Sequence, residues 1–112
     1  MTNPYVQKLF LGLIHAHILH HAGVRPFYGL WMIDELRSHG YDIGPGTLYP
    51  LLHRMRADGL RSVRPQKSGG RVRKYYGLTP RGRQLLDQCR DRIRQTHLEL
   101  QEGGAGRDGH TV

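Results

Sequence analysis

The chain has 112 residues, 38% of them hydrophobic, with 17 Lys and Arg against 9 Asp and Glu, a net charge of +8 and one cysteine. That length carries one hydrophobic core rather than two. A lone cysteine excludes an internal disulfide and a cysteine-built metal finger, and no run of about 18 apolar residues is present to cross a membrane. The charge excess fits a polyanionic partner, nucleic acid ahead of an anionic membrane surface.

Residues 5–22, YVQKLFLGLIHAHILHHA, are apolar around most of a helical circumference, with Leu9, Leu13, Ala16, Leu19 and His20 at helical spacing and Gly23 placed as a stop. A helix apolar nearly all round is expected to be central. Its run LFLGLI is interrupted by His15 and His17, and no small-residue cleavage site follows, so the chain reads as cytoplasmic. Pro26 separates this helix from a second, Tyr28 to His39, with Gly29, Met32, Ile33 and Leu36 on one face and Gly40 as terminator. On that helix Trp31 falls on the outer side, where partner packing, an effector pocket and a plain surface position all stay open.

The third helix lies in GPGTLYPLLHRMRADGL, residues 44–60, and contains two prolines. With Thr47 as N-cap, Pro50 occupies the third helical position without cost; with a start at Pro45, Pro50 gives up one hydrogen bond and bends the first turns. Leu48, Leu51, Leu52 and Met55 form the inward face, Thr47, Tyr49, His53 and Arg54 point outward, and Asp58-Gly59 ends the helix. Leu60 to Gln66 reads as an edge strand because of Pro65. KSGGR is a turn, and Val72 to Leu78 is the second strand of a hairpin. Residues 61–83 hold eight basic side chains (Arg61, Arg64, Lys67, Arg71, Arg73, Lys74, Arg81 and Arg83) and no acidic one.

Thr79-Pro80 opens a long last helix to about Gln101. Leu86, Cys89, Ile93, Thr96 and Leu100 recur on it in steps of three and four, a seam for a second copy of the chain. Cys89 on that seam reads as a small buried hydrophobe rather than a redox switch. GGAGRDGHTV at the end reads as a disordered tail. The expected fold class is therefore mainly α with a small β hairpin: a winged helix-turn-helix over residues 1–78, a dimerisation helix over 79–102 and a tail over 103–112.

YGLWMIDEL at 28–36, GTLYPLLHRM at 46–55, DGL at 58–60 and RKYYGLTPRGR at 73–83 resemble the PadR-type transcriptional regulators, from about Leu9 to about Leu86. The resemblance implies a homodimeric winged-helix protein that binds double-stranded DNA, usually as a repressor, and responds to small molecules. It also implies that Tyr49 holds a phosphate rather than a base. Arg56 stands where the family commonly has an acidic residue and Trp31 where a polar one is usual; the chain resembles the short subgroup, without an extended C-terminal effector region.

Thr47, Tyr49, His53 and Arg54 are thus the candidates for the major groove, and Lys67, Ser68, Arg71, Arg73 and Lys74 those for the phosphate backbone or minor groove. His17 and His21, four apart beside His15 and His20, could ligate Zn²⁺ or a similar ion, with a third ligand from His20 or another subunit. No cysteine or carboxylate lies close in sequence, and histidines satisfied within a core are the commoner reading. The leading expectation is a repressor released by an effector, with a winged-helix protein adaptor or a metal-responsive regulator as alternatives. No nucleophile–base constellation or phosphate-cradling loop supports an enzyme, since SGGR at 68–71 is too short and wrongly placed.

Overall fold

A computed structural model describes residues 3–102, apart from the Ser68 side chain; the expected tail over 103–112 lies outside the described residues. The order is α1 (Pro4–Val24), β1 (Phe27–Tyr28), α2 (Gly29–Ser38), α3 (Pro45–Ala57), β2 (Arg61–Ser68), β3 (Arg71–Leu78) and α4 (Pro80–Glu102). The expected hairpin gains a third strand: β1 pairs with β3 through Phe27↔Tyr76 and Tyr28↔Tyr75, giving the antiparallel order β1-β3-β2. Two residues are too short to show a period-2 pattern, so the sequence carries no periodic sign of this strand.

Helix α1 starts earlier than Tyr5, because Asn3 Oδ1 accepts the Tyr5 N–H at 2.8 Å and Pro4 fills the first helical position. It is not central along its length. Ile14, Ile18, Leu19 and Ala22 are buried, whereas Tyr5, Val6, Leu9 and Leu11 are exposed, Tyr5 to 81%. The first turns carry apolar side chains that nothing among the described residues covers. Gly23 does not stop the helix; it is where Arg83 of α4 reaches α1, Nη2 donating to the Gly23 carbonyl at 3.2 Å.

Gly29, Met32, Ile33 and Leu36 of α2 are buried as the spacing required, joined in the core by Tyr41 and Ile43 from the turn that follows. Helix α3 begins at Pro45 with Gly44 as N-cap, so Thr47 is not the cap and Pro50 lies inside the helix. The first turn tightens in consequence: the N–H groups of both Thr47 and Leu48 point at the Gly44 carbonyl, at 3.1 and 3.0 Å. Leu48, Leu52 and Met55 are buried and Leu51 is half-buried.

The far end closes with Gly59 at φ 76°, its N–H on the Arg56 carbonyl and the Leu60 N–H on the Met55 carbonyl at 2.8 Å. This paired C-terminal bonding needs a residue at positive φ, and it sends Leu60 back onto the core. Two glycines at positive φ, Gly69 and Gly70, turn β2 into β3, the two-residue form that matches strand twist. Thr79 caps α4: its hydroxyl accepts the Gly82 N–H at 3.0 Å and donates to the Gly59 carbonyl at 2.6 Å, tying the end of α3 to the start of α4. From Arg90 onward α4 is exposed on all sides.

Candidate nucleic-acid interface

Helix α3 presents Pro50, His53, Arg54 and Ala57 on one exposed, shallowly concave face, with Asp58 at its end and Tyr49 at its beginning. Thr47 is exposed about two turns before His53 and Arg54, near the helix start. The buried Leu48, Leu52 and Met55 set the rotation of that face, because side chains three and four apart share a side. Pro50 has no N–H to give the Gly46 carbonyl, and the loss falls on the solvent side of a turn already anchored at Gly44.

Tyr49 is held as well as displayed. Its ring lies against Gly29 at the start of α2, so closely that a β-carbon there would sit 2.6 Å from Tyr49 Cζ. Glycine at position 29 therefore admits the tyrosine, and Tyr49 remains 39% exposed. Beyond it a cleft of about 280 Å3 runs between α2 and the hairpin, walled by Tyr28, Leu30, Tyr49, Arg71, Arg73 and Lys74 among others.

The hairpin meets this cleft in an orderly way. Alternation along β3 puts Arg71, Arg73 and Tyr75 on one side and Val72, Lys74 and Tyr76 on the other. Tyr76 is buried in the core and Tyr75 meets Tyr28 edge to face at 5.8 Å. The Arg73 guanidinium lies 4.1 Å above the centre of the Tyr28 ring, a cation–π contact that holds its stem while its remaining donors stay available. Lys67, Arg71 and Lys74 are exposed; the Ser68 side chain lies outside what is described.

Tyr28 and Leu30 were missed by the sequence reading. The period-2 spacing Arg71-Arg73-Tyr75, opposed to an aromatic just before a helix, is the signal that would have found Tyr28.

Arg61 leaves the basic surface altogether. It is 4% exposed, Nε donates to the Leu52 carbonyl, and its guanidinium lies 4.4 Å over the Tyr76 ring. Burial pulls its pKa down and Tyr76 opposes that, while Nη1 is enclosed without a hydrogen-bond partner among the described residues. The residue braces α3 against the sheet; one of the eight charges in the basic run 61–83 belongs to the core.

The proposed dimer seam also changes shape. Leu86 is 1% exposed, packed inside its own protomer in the core it shares with α1, so it is not an open seam position. Cys89 is half-buried beside it, and Ile93, Thr96 and Leu100 are exposed. A groove of about 260 Å3 between the two helices is lined by Leu13, Ala16 and His20 from α1 and by Leu86, Cys89 and Ile93 from α4. Leu98, 56% exposed, lies about 140° round α4 from Ile93 and off that stripe.

The histidines act as packing rings. His17 stacks on His39 at 5.3 Å and on His21 at 6.1 Å, and meets Tyr41 edge to face at 5.2 Å. His21 packs against Trp31 at 5.4 Å, and Glu35 lies 3.9 Å from its Nε2 and 3.4 Å from that of His39. His20 accepts a hydrogen bond from Arg90 at 3.1 Å, and His15 Nδ1 meets the Leu11 carbonyl at 2.6 Å. Burial, then the charge of His39, lowers the pKa of His17; burial, then His20, lowers that of His21. Among the described residues no group of three or more His, Cys, Asp or Glu is gathered to hold a metal ion. Trp31 is 39% exposed and stands over Phe27 at 6.1 Å, at the mouth of a separate cavity.

A helix with a locked inner face and a free polar outer one, beside a basic two-stranded ribbon, defines a winged-helix protein of the DNA-binding class. The model of the transcriptional regulator PadR-like family matches residues 18–88, and the chain belongs to that family. It is 42% identical over 90 residues to the transcriptional regulator Rv3488 of Mycobacterium tuberculosis, covering 80% of this chain and 84% of the relative. Its fold is similar to that of a PadR-like transcriptional regulator from Bacillus cereus, with a TM-score of 0.81 at 26% identity over 85% of this chain and 94% of the other. A PadR family transcriptional regulator from Eggerthella lenta aligns with a TM-score of 0.68 at 29% identity, over 96% of this chain and 91% of the other. The protein is accordingly a transcriptional regulator rather than an enzyme, and its family is one that binds DNA. Among the described residues no helix is long and apolar enough to cross a membrane.

Proposed function

We propose that two copies of the chain, joined along α1 and α4, bind a two-fold operator in duplex DNA and repress transcription until an effector releases them. The observation that carries the DNA half is the meeting of three elements at one cleft: the start of α2, Tyr49 of α3, and the wing with Arg71, Arg73 and Lys74. A backbone running through such a cleft leaves the outer face of α3 to the major groove, with Thr47, His53 and Arg54 toward base edges and Tyr49 toward phosphate. The exposed Tyr5, Val6, Leu9, Ile93 and Leu100 support the dimer, since large apolar side chains at the ends of two adjacent helices gain by being covered. Repression and effector release are inferred from family membership.

Footprinting on the neighbouring promoter DNA at about 50 and 200 mM salt tests this reading. The expected result is a protected site with two-fold symmetry and an affinity that falls steeply with salt. Equal binding to competitor DNA at both salt concentrations overturns it, and a protein-interaction adaptor would give no salt-linked affinity.

A further inference from the structure

The sheet has a second face, turned away from the core. Cross-strand partners share a side, so the register Ser62↔Gly77, Arg64↔Tyr75 and Gln66↔Arg73 sets these residues together, opposite the buried Arg61 and Tyr76. Against this face the end of α1 leaves a hollow of about 350 Å3, lined by Arg25, Arg64, Gln66 and Tyr75 among others. Arg83 reaches its wall, where Nη2 donates to the Gly23 carbonyl at 3.2 Å. Arg25, Arg64 and Gln66 are exposed, and none of their side chains joins a hydrogen bond or ion pair among the described residues. No carboxylate is among the lining residues, and the chain has none from Gly59 to Leu86. Such a surface attracts a polyanion.

The hollow is continuous with the cleft between α2 and the wing. Tyr75 lines it and meets Tyr28 edge to face, and the Tyr28 ring carries Arg73 and borders that cleft. It also stands at one end of the molecule. Helix α4 runs back along α1, with Arg83 at Gly23, Arg90 at His20, and Ile93 sharing a groove with Leu13. The sheet therefore lies at the opposite end of that helix pair from the exposed Tyr5, Leu9 and Leu100. In a dimer joined at those apolar ends, the two sheets stand farthest from the joint.

We propose that this outer sheet face takes the phosphate backbone of duplex DNA flanking the site that α3 reads, with Arg25, Arg64 and Gln66 as its contacts. The inference rests on the reading of a dimeric DNA-binding regulator and extends the surface that regulator uses. Contacts of this kind add affinity and fix orientation without reading sequence. The Tyr28 ring already carries Arg73 and meets Tyr75, which leaves the face poor in platforms for stacking unpaired bases. A duplex backbone suits it better than a single strand.

Titration of the whole protein with two duplexes, together with hydroxyl-radical footprinting, tests the surface. One duplex ends at the outermost bases whose substitution weakens binding, and the other continues about 10 base pairs further on each side. The longer duplex is expected to bind at least about tenfold more tightly, with a steeper salt dependence and protected sugars in the added segments. This comparison needs no variant. Arg25→Gln with Arg64→Gln, both at exposed positions, is expected to remove that gain and that protection. On the longer duplex the double variant is expected to lower the salt slope by about 0.9 for each lost phosphate contact, while affinity for the shorter one stays unchanged.

Equal affinity of the native protein for the two lengths overturns the surface and leaves the reading by α3 standing. So does an equal loss on both lengths in the double variant, which marks a change in overall charge alone. A protein that protects no site and prefers no duplex over competitor overturns the regulator reading and this surface with it.

Discussion

The α3–wing side and the α1–α4 side both expose side chains that a lone protomer has no use for, but they are supported differently. On the first, the exposed groups have something behind them: Gly29 seats Tyr49, Tyr28 carries Arg73, and Arg61 braces the back of α3. On the second, Tyr5, Leu9, Ile93 and Leu100 stand on bare helix ends, with side-chain exposures from 43% to 81%. A polar ligand such as DNA rewards prior ordering of the groups that meet it, since each side chain fixed on binding costs about 0.5–1.5 kcal/mol. An apolar face needs only to be covered. The first surface is complete within one chain; the second is the one that the proposed dimer would cover.

The sharpest way to break that contrast is to charge the unsupported face. Leu9→Asp with Ile93→Asp changes two exposed positions, so the fold by circular dichroism is expected to stay intact while light scattering shows monomers. With one half-site reader left, affinity for a two-fold operator is expected to fall about a thousandfold, within the gain linked sites provide, or about 4 kcal/mol. A variant that stays dimeric shows that the stripe on α1 and α4 is not the joint.

Next in size is the joint between the two sides. A β-carbon at Gly82 would run into the Leu60 carbonyl and Leu78 Cδ1, because α4 starts directly on the strand it follows. Gly82→Val is expected to cost about 3 kcal/mol in chemical denaturation, since backbone on one side cannot yield. Gly46→Ala in α3 meets nothing within 4 Å and is expected to stabilise by about 0.5–1 kcal/mol. Equal outcomes for the two glycines remove the steric account.

The supported face is sharpened by a salt titration. Arg71→Ala with Lys74→Ala is expected to lower the slope of log affinity against log salt by about 1.8, roughly 0.9 for each lost phosphate contact, on every sequence alike. Arg61→Ala is the contrast: being buried on the Leu52 carbonyl and the Tyr76 ring, it is expected to lower stability by about 2 kcal/mol and leave that slope unchanged. A reduced slope in Arg61→Ala would add it to the phosphate-binding set.

These contrasts also show what the sequence discloses. The helices, the caps at Thr79 and Gly59, and the glycine-turned hairpin were legible, because each rests on a local rule that needs only a few adjacent residues. The inward leucines of α3 followed from spacing alone. What was not legible depends on contacts distant in sequence. Arg61 reads as one more cation in a basic run until Leu52 and Tyr76 are brought to it. Leu86 reads as a seam residue until α1 is laid over it. The strand Phe27–Tyr28 exists only because Tyr75 and Tyr76, some fifty positions later, pair with it.

The smallest expected effect belongs to the histidines, which lie between the two sides. His17 is faced by His20 and His21 on its own helix, by Glu35, His39 and Tyr41 from α2 and the turn after it, and His20 in turn by Arg90 of α4. Burial and neighbouring histidines keep the pKa values of His17 and His21 below the ordinary 6.5, with Glu35 opposing. The unfolded chain therefore takes up these protons first as pH falls, so the stability they contribute is full above about 6.5 and is lost on acidification toward the lower folded values. The melting temperature is expected to drop between about pH 7.5 and pH 5.5, and to drop less in His17→Gln, which keeps a polar group of similar reach but binds no proton. An equal drop in the variant would place the pH dependence elsewhere, and the stacked rings would then join the two sides by packing alone.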